Sequence, residues 1–403
     1  MASIVEQLNF QAVRLSNKVL YGFLDIDGTL TASYTFAQFV QRVTDIARHL
    51  QQAVPSAPGS RVLLVYPPGV EMIAAFFACA RLGLIPVPVY PPPRHNVLAA
   101  MERMAYIAKD SGSQFLLTDR SCFWLMKWAQ ARRKLKAFSF KKDVIGQLKW
   151  VVSTDAGVNG VEPIREAHSE ILFLQYTSGS THDPKGVMVT HEGVLANCES
   201  AVDHDPVSVS WLPQYHDMGL IGYYLFFALK GGTTYGFSPL DFLQRPALWL
   251  ESMSRFRATS SAAPDFAYGY CLRQDKVPDA VLDGLDLSAL RFLANAAEPV
   301  RAETFLQFRE RYARCGLKPK AFFSSYGLAE YTLVVSQYGR AVQGFDAEHL
   351  GQRTVTPVGN EQADREIKRL VSCGPPLPCT TVKIVDVEDA FRECTGREVG
   401  EIW

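Results

Sequence analysis

Apolar positions along this chain switch between two periods. Arg61-Val62-Leu63-Leu64-Val65-Tyr66, Ile85-Pro86-Val87-Pro88-Val89, Gln114-Phe115-Leu116-Leu117-Thr118 and Trp150-Val151-Val152 have the length and apolar density of buried strands. Between them, 70–82, 96–110 and 121–137 place apolar residues at helical spacing, as does Phe36 to Leu50. After Ile171-Leu172-Phe173-Leu174, itself a buried strand, helices are expected at 191–202, 217–229, 246–256 and 301–315. Strands are expected at 207–212, 233–237, 259–263, 290–294 and 321–325. Such alternation predicts an α/β fold of two doubly wound, mainly parallel sheets covered by helices, since one sheet with every strand would be unusually large.

The texture changes beyond Ser336. Residues 337–368 show little apolar periodicity and read as an inserted, mobile surface segment. Leu370-Val371-Ser372, Thr381-Val382-Lys383-Ile384-Val385 and Glu401-Ile402-Trp403 then read as strands of a small β-barrel-like subdomain, the last expected to lack a partner because the chain stops inside it. The expected division is 1–170, first α/β subdomain; 171–336, second α/β subdomain; 337–368, inserted segment; and 369–403, incomplete β subdomain.

Charge alters this picture little. With 403 residues, 48% of them hydrophobic, 41 Lys and Arg balance 41 Asp and Glu. That balance argues against general nucleic-acid or anionic-membrane binding, leaving only local patches. One such patch runs from Lys127 to Lys149, with Arg132, Arg133, Lys134, Lys136, Lys141 and Lys142 against the single acid Asp143; it reads as a solvated helix face or a dock for an acidic partner. The eight cysteines are scattered without a Cys-x-x-Cys, so neither zinc nor a disulfide framework is signalled, and a reducing cytoplasm fits. The longest apolar stretch, Met218 to Leu229, is too short for a transmembrane segment, and Met1 to Phe10 has no signal-peptide core. A soluble, cytoplasmic protein is expected.

Candidate chemistry gathers in loops that follow strands. Tyr176-Thr177-Ser178-Gly179-Ser180-Thr181-His182-Asp183-Pro184-Lys185-Gly186 combines hydroxyls, glycines and a lysine, which suits a phosphate. Pro184 stands where the nucleotide-triphosphatase loop needs its second Gly, and Val187-Met188-Val189 reads as a strand, so the loop serves another nucleotide chemistry or is a hairpin without a ligand. Three further loops are Pro213-Gln214-Tyr215-His216-Asp217-Met218-Gly219, Asn295-Ala296-Ala297-Glu298-Pro299 and Tyr326-Gly327-Leu328-Ala329-Glu330. Doubly wound sheets gather ligands at strand carboxyl ends, which would bring these loops together. Glu330 suits Mg2+ carried by nucleotide phosphates, or is a surface carboxylate. Tyr326 suits stacking on a purine whose polar edge Asn295 reads, or is a core aromatic. His216 suits donation to a phosphate or acyl oxygen, with Asp217 capping the helix from Met218, or is a structural histidine. Near the N-terminus Asp25-Ile26-Asp27-Gly28-Thr29-Leu30 copies the nucleophile motif of haloacid-dehalogenase phosphatases, yet it is also hairpin-turn chemistry between Tyr21-Gly22-Phe23-Leu24 and Ser33-Tyr34-Thr35-Phe36.

Thr177-Ser178-Gly179-Ser180-Thr181 with Pro184-Lys185-Gly186 resembles the signature of the adenylate-forming enzymes. Leu174 to Thr181, Pro213 to Gly222, Asn295 to Val300, Tyr326 to Glu330 and Pro86-Val87-Pro88-Val89-Tyr90-Pro91-Pro92 resemble, more narrowly, the N-terminal domain of the fatty acyl-AMP ligases. The segment 337–368 falls where that group carries an insertion. The resemblance implies that a fatty acid is joined to ATP, with Mg2+, and that the acyl group passes to an acyl carrier protein or polyketide synthase. It implies that Thr177, Ser178, Gly179, Ser180, Thr181 and Lys185 hold the phosphates, with Lys185, His216 and Glu330 catalytic and Glu330 on the metal. Asn295, Ala296, Ala297, Glu298, Pro299, Ser325, Tyr326, Gly327 and Leu328 would surround AMP. Met218, Ile221, Phe266 and Tyr268 would line the acyl pocket.

Three positions depart from the family pattern: His182 stands where a small residue is usual, Ala296 where a Gly is, and Asp265 where an Asn is. The family's C-terminal lid domain would follow Trp403, so this chain is expected to adenylate slowly or not at all. A non-catalytic acyl or nucleotide receptor, a long-chain acyl-CoA ligase and, remotely, a phosphatase are the competing readings.

Overall fold

The computed structural model describes residues 3–54, 57–93, 95–136, 144–157, 162–177, 183–201, 205–359, 366–378, 380–389 and 392–403. They form two compact units, Met1–Gln244 and Arg245–Trp403.

In the first unit strands and helices alternate as the apolar periods predict. β1 (Val19–Leu24) and β2 (Leu30–Thr35) form a hairpin between α1 (Ile4–Arg14) and α2 (Phe36–Ala53). β3 (Arg61–Val65), α3 (Val70–Arg81), β4 (Ile85–Pro88), α4 (Val97–Asp110), β5 (Phe115–Thr118), α5 (Arg120–Lys136), α6 (Val144–Gln147) and β6 (Lys149–Val152) follow. They give a four-stranded parallel sheet in the order β4-β3-β5-β6. β7 (Ile171–Thr177) and β8 (Lys185–Thr190) pair antiparallel and lead into α7 (His191–Ala201). β9 (Val207–Ser210) and β10 (Thr233–Gly236) are parallel to each other, and β10 to β1.

α3 is apolar all round because it lies inside. Ten of its twelve residues are buried, with α2 and strands β1, β3 and β4 around it. One polar cluster fastens these layers. Arg42 of α2 donates through Nε and Nη2 to the two carboxylate oxygens of Glu71 at 3.0 and 2.6 Å, and Nη2 also reaches the Ser153 carbonyl. Ser153 Oγ donates to Glu71 at 2.7 Å. A bidentate, partly sheltered pair of this kind outweighs a surface ion pair.

In the second unit β11 (Ser260–Ala263), β12 (Phe292–Asn295) and β13 (Phe322–Gly327) are parallel, and β14 (Val334–Gly339) runs antiparallel to β13. Helices Ala247–Arg255, Asp265–Leu272 and Ala302–Ala313 make the crossovers' apolar cover, where Tyr268, Phe305, Phe308, Tyr312 and Phe322 are fully buried. Residues 337–368 carry more regular structure than their composition suggests. β15 (Val342–Asp346) pairs antiparallel with β16 (Ile367–Val371), and a short helix, Ala347–Gly351, follows β15. The last strand corrects an expectation. β18 (Glu401–Ile402) does have a partner, β17 (Ile384–Val385), found by non-local pairing that two-residue strands do not announce in sequence.

The Asp25 motif is hairpin chemistry. Asp25 Oδ1 accepts from the Asp27 and Thr29 N–H groups at 3.0 and 2.8 Å, and Gly28 takes φ +81°, so the carboxylate closes the β1-β2 turn.

α1 docks through a buried imidazole. The Ile4 N–H donates to His191 Nδ1 at 3.3 Å, and the ring lies 5.2 Å from that of His168. Burial, and then the neighbouring His168, lower the His191 pKa from 6.5 to about 4. The folded-state value is depressed, so the stability is present above 6.5. It is lost as the pH falls towards about 4, because the unfolded chain takes up a proton that the folded site refuses. The loss is on the order of 1–3 kcal/mol. Urea unfolding across that interval should show it, and His191→Gln, which keeps a neutral acceptor, should flatten this part of the slope; parallel slopes would count against the assignment.

Candidate active site

The first unit holds one set of the expected residues. Ser178, Gly179, Ser180, Thr181 and His182 lie outside the described residues. On either side of them, Thr177 and the exposed Lys185 face each other in the β7-β8 register. Gly186 is needed beside them, since a Cβ there would come within 2.9 Å of the Tyr176 ring. The Tyr176 hydroxyl donates to Asp110 Oδ2 at 2.6 Å, which ties the foot of the hairpin to the end of α4. Burial and then Asp110 push that hydroxyl's pKa up.

The loop after β9 presents His216. Its ring is exposed, with Nδ1 2.7 Å from Asp217 Oδ1. Partial burial works against the imidazolium, but the hydrogen bond and charge of Asp217 outweigh it, so the His216 pKa is raised. The helix begins at Asp217 rather than at Met218. The Met218 N–H donates to Asp217 Oδ1 at 2.6 Å, so Asp217 serves the cap, while His216 Nδ1, 3.3 Å from the same N–H, gives its proton to Asp217. Gly219 is obligatory: a Cβ would stand 2.1 Å from the Pro213 carbonyl oxygen. The helix then widens into a π stretch, Leu220–Leu225, before α-helical Phe226–Leu229. Met218 and Ile221 are buried on it.

Two buried amides brace this loop from behind. Gln175 of β7 donates through Nε2 to the Tyr215 carbonyl at 3.0 Å, and Gln214 Oε1 accepts from the Gly69 N–H at 2.8 Å. The Tyr215 ring packs edge-on against Tyr90 at 5.0 Å.

The second unit holds the other set, at the carboxyl ends of β11, β12 and β13. Asn295, opposite Ser324 in the β12-β13 register, is wholly buried and donates through Nδ2 to Asp265 Oδ1 at 2.8 Å. Its Oδ1 has no hydrogen-bond partner among the described residues. Asn295 therefore supports the turn from inside, while Ala297, in the left-handed region at φ +71°, Glu298 and Pro299 stand exposed and Ala296 half-exposed. Glu298 Oε1 accepts from the Phe266 N–H at 2.6 Å, so the turn is stitched to the start of helix Asp265–Leu272. Arg301 Nε lies 3.9 Å from the second Asp265 oxygen. Phe266 is 37% exposed and can line a site, whereas Tyr268 is fully buried, its hydroxyl donating to the Ala294 carbonyl at 2.7 Å. On β13, Ser325 donates to the Ser336 carbonyl at 2.7 Å, and Tyr326 is half-exposed beside it. A Cβ on Gly327 would overlap the Leu333 carbonyl. Leu328 is half-buried, and Glu330 is exposed in the short helical turn Ala329–Tyr331.

Sequence reasoning missed the bracing groups Gln175, Gln214 and Asp110. Gln214 lies inside a noted motif; Asp110 meets Tyr176 across 66 residues, with no local signal. Asp265 was visible as a departure, not as the partner of Asn295.

A family profile described as AMP-binding enzyme matches residues 11–403. The medium-chain-fatty-acid–[acyl-carrier-protein] ligase JamA of Moorena producens is 33% identical over all of this chain and 68% of its own length. The long-chain-fatty-acid–AMP ligase FadD26 of Mycobacterium marinum is 33% identical over all of this chain and 69% of its own. A crystal structure of the fatty acyl-adenylate ligase from L. pneumophila, in complex with acyl adenylate and pyrophosphate, matches with a TM-score of 0.85 and 32% identity over 100% of this chain and 68% of that one. The chain belongs to the AMP-binding enzymes. Its relatives there include fatty acyl-AMP ligases and fatty-acid–carrier-protein ligases, and it spans about two thirds of their length.

Two substitutions test the site's construction. Asp217→Asn should lower the His216 pKa, read from the imidazole proton shifts in an NMR titration; an unchanged value would remove Asp217 as the cause. Asp265→Ala should destabilise the fold by about 1–3 kcal/mol in urea unfolding, because it leaves the buried Asn295 amide without its acceptor. Full additivity with Asn295→Ala would show that the pair does not act as one unit.

Proposed function

We propose that this protein activates fatty acids as acyl adenylates. A carboxylate oxygen of the acid attacks the α-phosphorus of ATP, the bond from that phosphorus to pyrophosphate breaks, and a mixed anhydride of acid and AMP remains. The observation that carries the reading is His216. Its Nδ1 is held by Asp217, and its Nε2 has no hydrogen-bond partner among the described residues, leaving it free to donate to an anionic oxygen.

The other residues fit this step. Lys185, exposed at the mouth of the β7-β8 hairpin, supplies a cation to phosphate, and the exposed turn 297–299 with Tyr326 offers a purine edge and ring contacts. Met218 and Ile221 in the first unit, and Phe266 in the second, offer apolar surface to an acyl chain; Tyr268 supports the helix of Phe266 from the core of the second unit. Among the described residues no group of three His, Cys, Asp or Glu is disposed to hold a metal. A lone exposed carboxylate, Glu330, is nevertheless suited to Mg2+, which takes its remaining ligands from phosphates and water and would neutralise phosphate charge. With the carboxylate already nucleophilic, the rate rests on positioning two anions and neutralising their charge. The acyl group would then pass to the phosphopantetheine thiol of an acyl carrier protein, a partner printed in the name of one relative, or of a polyketide synthase, with AMP leaving.

Acyl adenylate detected by mass spectrometry after incubation with ATP, Mg2+ and a fatty acid, with matching pyrophosphate release, is the expected result. His216→Ala should lower kcat/KM roughly 10²–10³-fold. Lys185→Ala should act chiefly on the KM for ATP. Full activity in His216→Ala would overturn the reading, as would absence of adenylate with every fatty acid tried from this chain extended to the full length of its relatives.

A further inference from the structure

α5 stands apart from a chain whose charges balance. Between Arg120 and Lys136 it carries Arg120, Lys127, Arg132, Arg133, Lys134 and Lys136 and no Asp or Glu. Its inner face is ordinary: Cys122, Met126 and Ala129 are buried in the core beneath the β4-β3-β5-β6 sheet. Its outer face is not. Trp124 and Trp128, one turn apart, are 64% and 55% exposed. Two adjacent exposed indoles on a helix that already has a buried face mark a contact surface. A cation borders one of them: the Arg132 guanidinium lies 3.9 Å from the centre of the Trp128 ring, while the Lys127 ammonium sits 4.0 Å from the ring of Trp150 on β6. Arg120, at the other end, is engaged by Asp155.

We propose that α5 docks this protein onto a bilayer surface rich in anionic phospholipid, with the two indoles at headgroup level and the basic end against the phosphates. The chemistry along the helix fits that occupant. Indole has an apolar body and one N–H donor and settles at membrane interfaces. Lysine and arginine beside it are drawn to an anionic leaflet. The indoles stand out from a helix rather than lining a groove, which suits a broad, deformable surface. Docking would also place the enzyme where its amphiphilic substrate gathers. That advantage rests on the proposed fatty-acid reading; the binding itself does not.

Sedimentation of the whole protein with vesicles of phosphatidylcholine containing roughly one third phosphatidylglycerol, against phosphatidylcholine alone and at low and high salt, tests this. Binding should be roughly tenfold or more stronger to the anionic vesicles and should weaken with salt. It should fall by a similar factor in the Trp124→Ala/Trp128→Ala double variant and in Arg132→Glu, with circular dichroism and the urea unfolding curve unchanged. No binding, equal binding to neutral vesicles, or variants that bind like the unaltered protein would overturn the proposal. So would capture by an acidic carrier protein that the same substitutions abolish while vesicles go unbound, since α5 would then be a protein-docking face. The assay needs no adenylation, so its failure is read separately from failure of the proposed function.

Discussion

Parallel strands impose the constraint on which the rest depends. A strand can be followed by a parallel neighbour only through a crossover, and the crossovers here are helices that must bury an apolar face on the sheet. In the first unit this fixes β4-β3-β5-β6 with α3, α4 and α5 upon it; in the second it fixes β11, β12 and β13 with their helices. The carboxyl ends of the strands are left to loops, which are free of packing duty. Within the second unit, the turn 296–299, the start of helix Asp265–Leu272 and the segment from Ser325 to Glu330 are neighbours for that reason.

Those loops are short of packing but not of support. Behind two of the candidate loops sit buried polar groups: Gln175 and Gln214 behind the His216 loop, and Asp265 with Asn295 beneath the turn 296–299. Each hydrogen bond is individually modest, but its loss would strand a buried partner, and that asymmetry gives such pairs their rigidity. Rigid support suits a reaction whose acceleration depends on holding anions in place.

Much of this was legible in sequence. The helices 70–82, 96–110 and 121–137 match α3, α4 and α5 because their periodicity records which face is buried. The candidate loops were legible because polar, Gly- and Pro-bearing stretches follow apolar strands. What was hidden depends on distant partners. The pairing of β18 with β17 rests on two residues a side, and the π stretch is invisible in a helix apolar all round, where period carries no signal. The burial of Asn295 and Tyr268 was hidden too, since a motif names a residue without saying whether it faces the site or props it.

The π stretch between Met218 and Phe226 works as a phase break. A straight α-helix locks every side chain into one angular sequence, so a change at one end constrains what the other can face. The wider turn at Leu220–Leu225 lets the segment next to His216 and the segment anchored in the core keep separate rotational settings. The wall proposed for an acyl chain could thus be retuned by sequence change without re-aiming the buried Phe226 and Phe227. On the proposed reading, that independence would let one scaffold be adapted to acids of different shape while its core stays fixed.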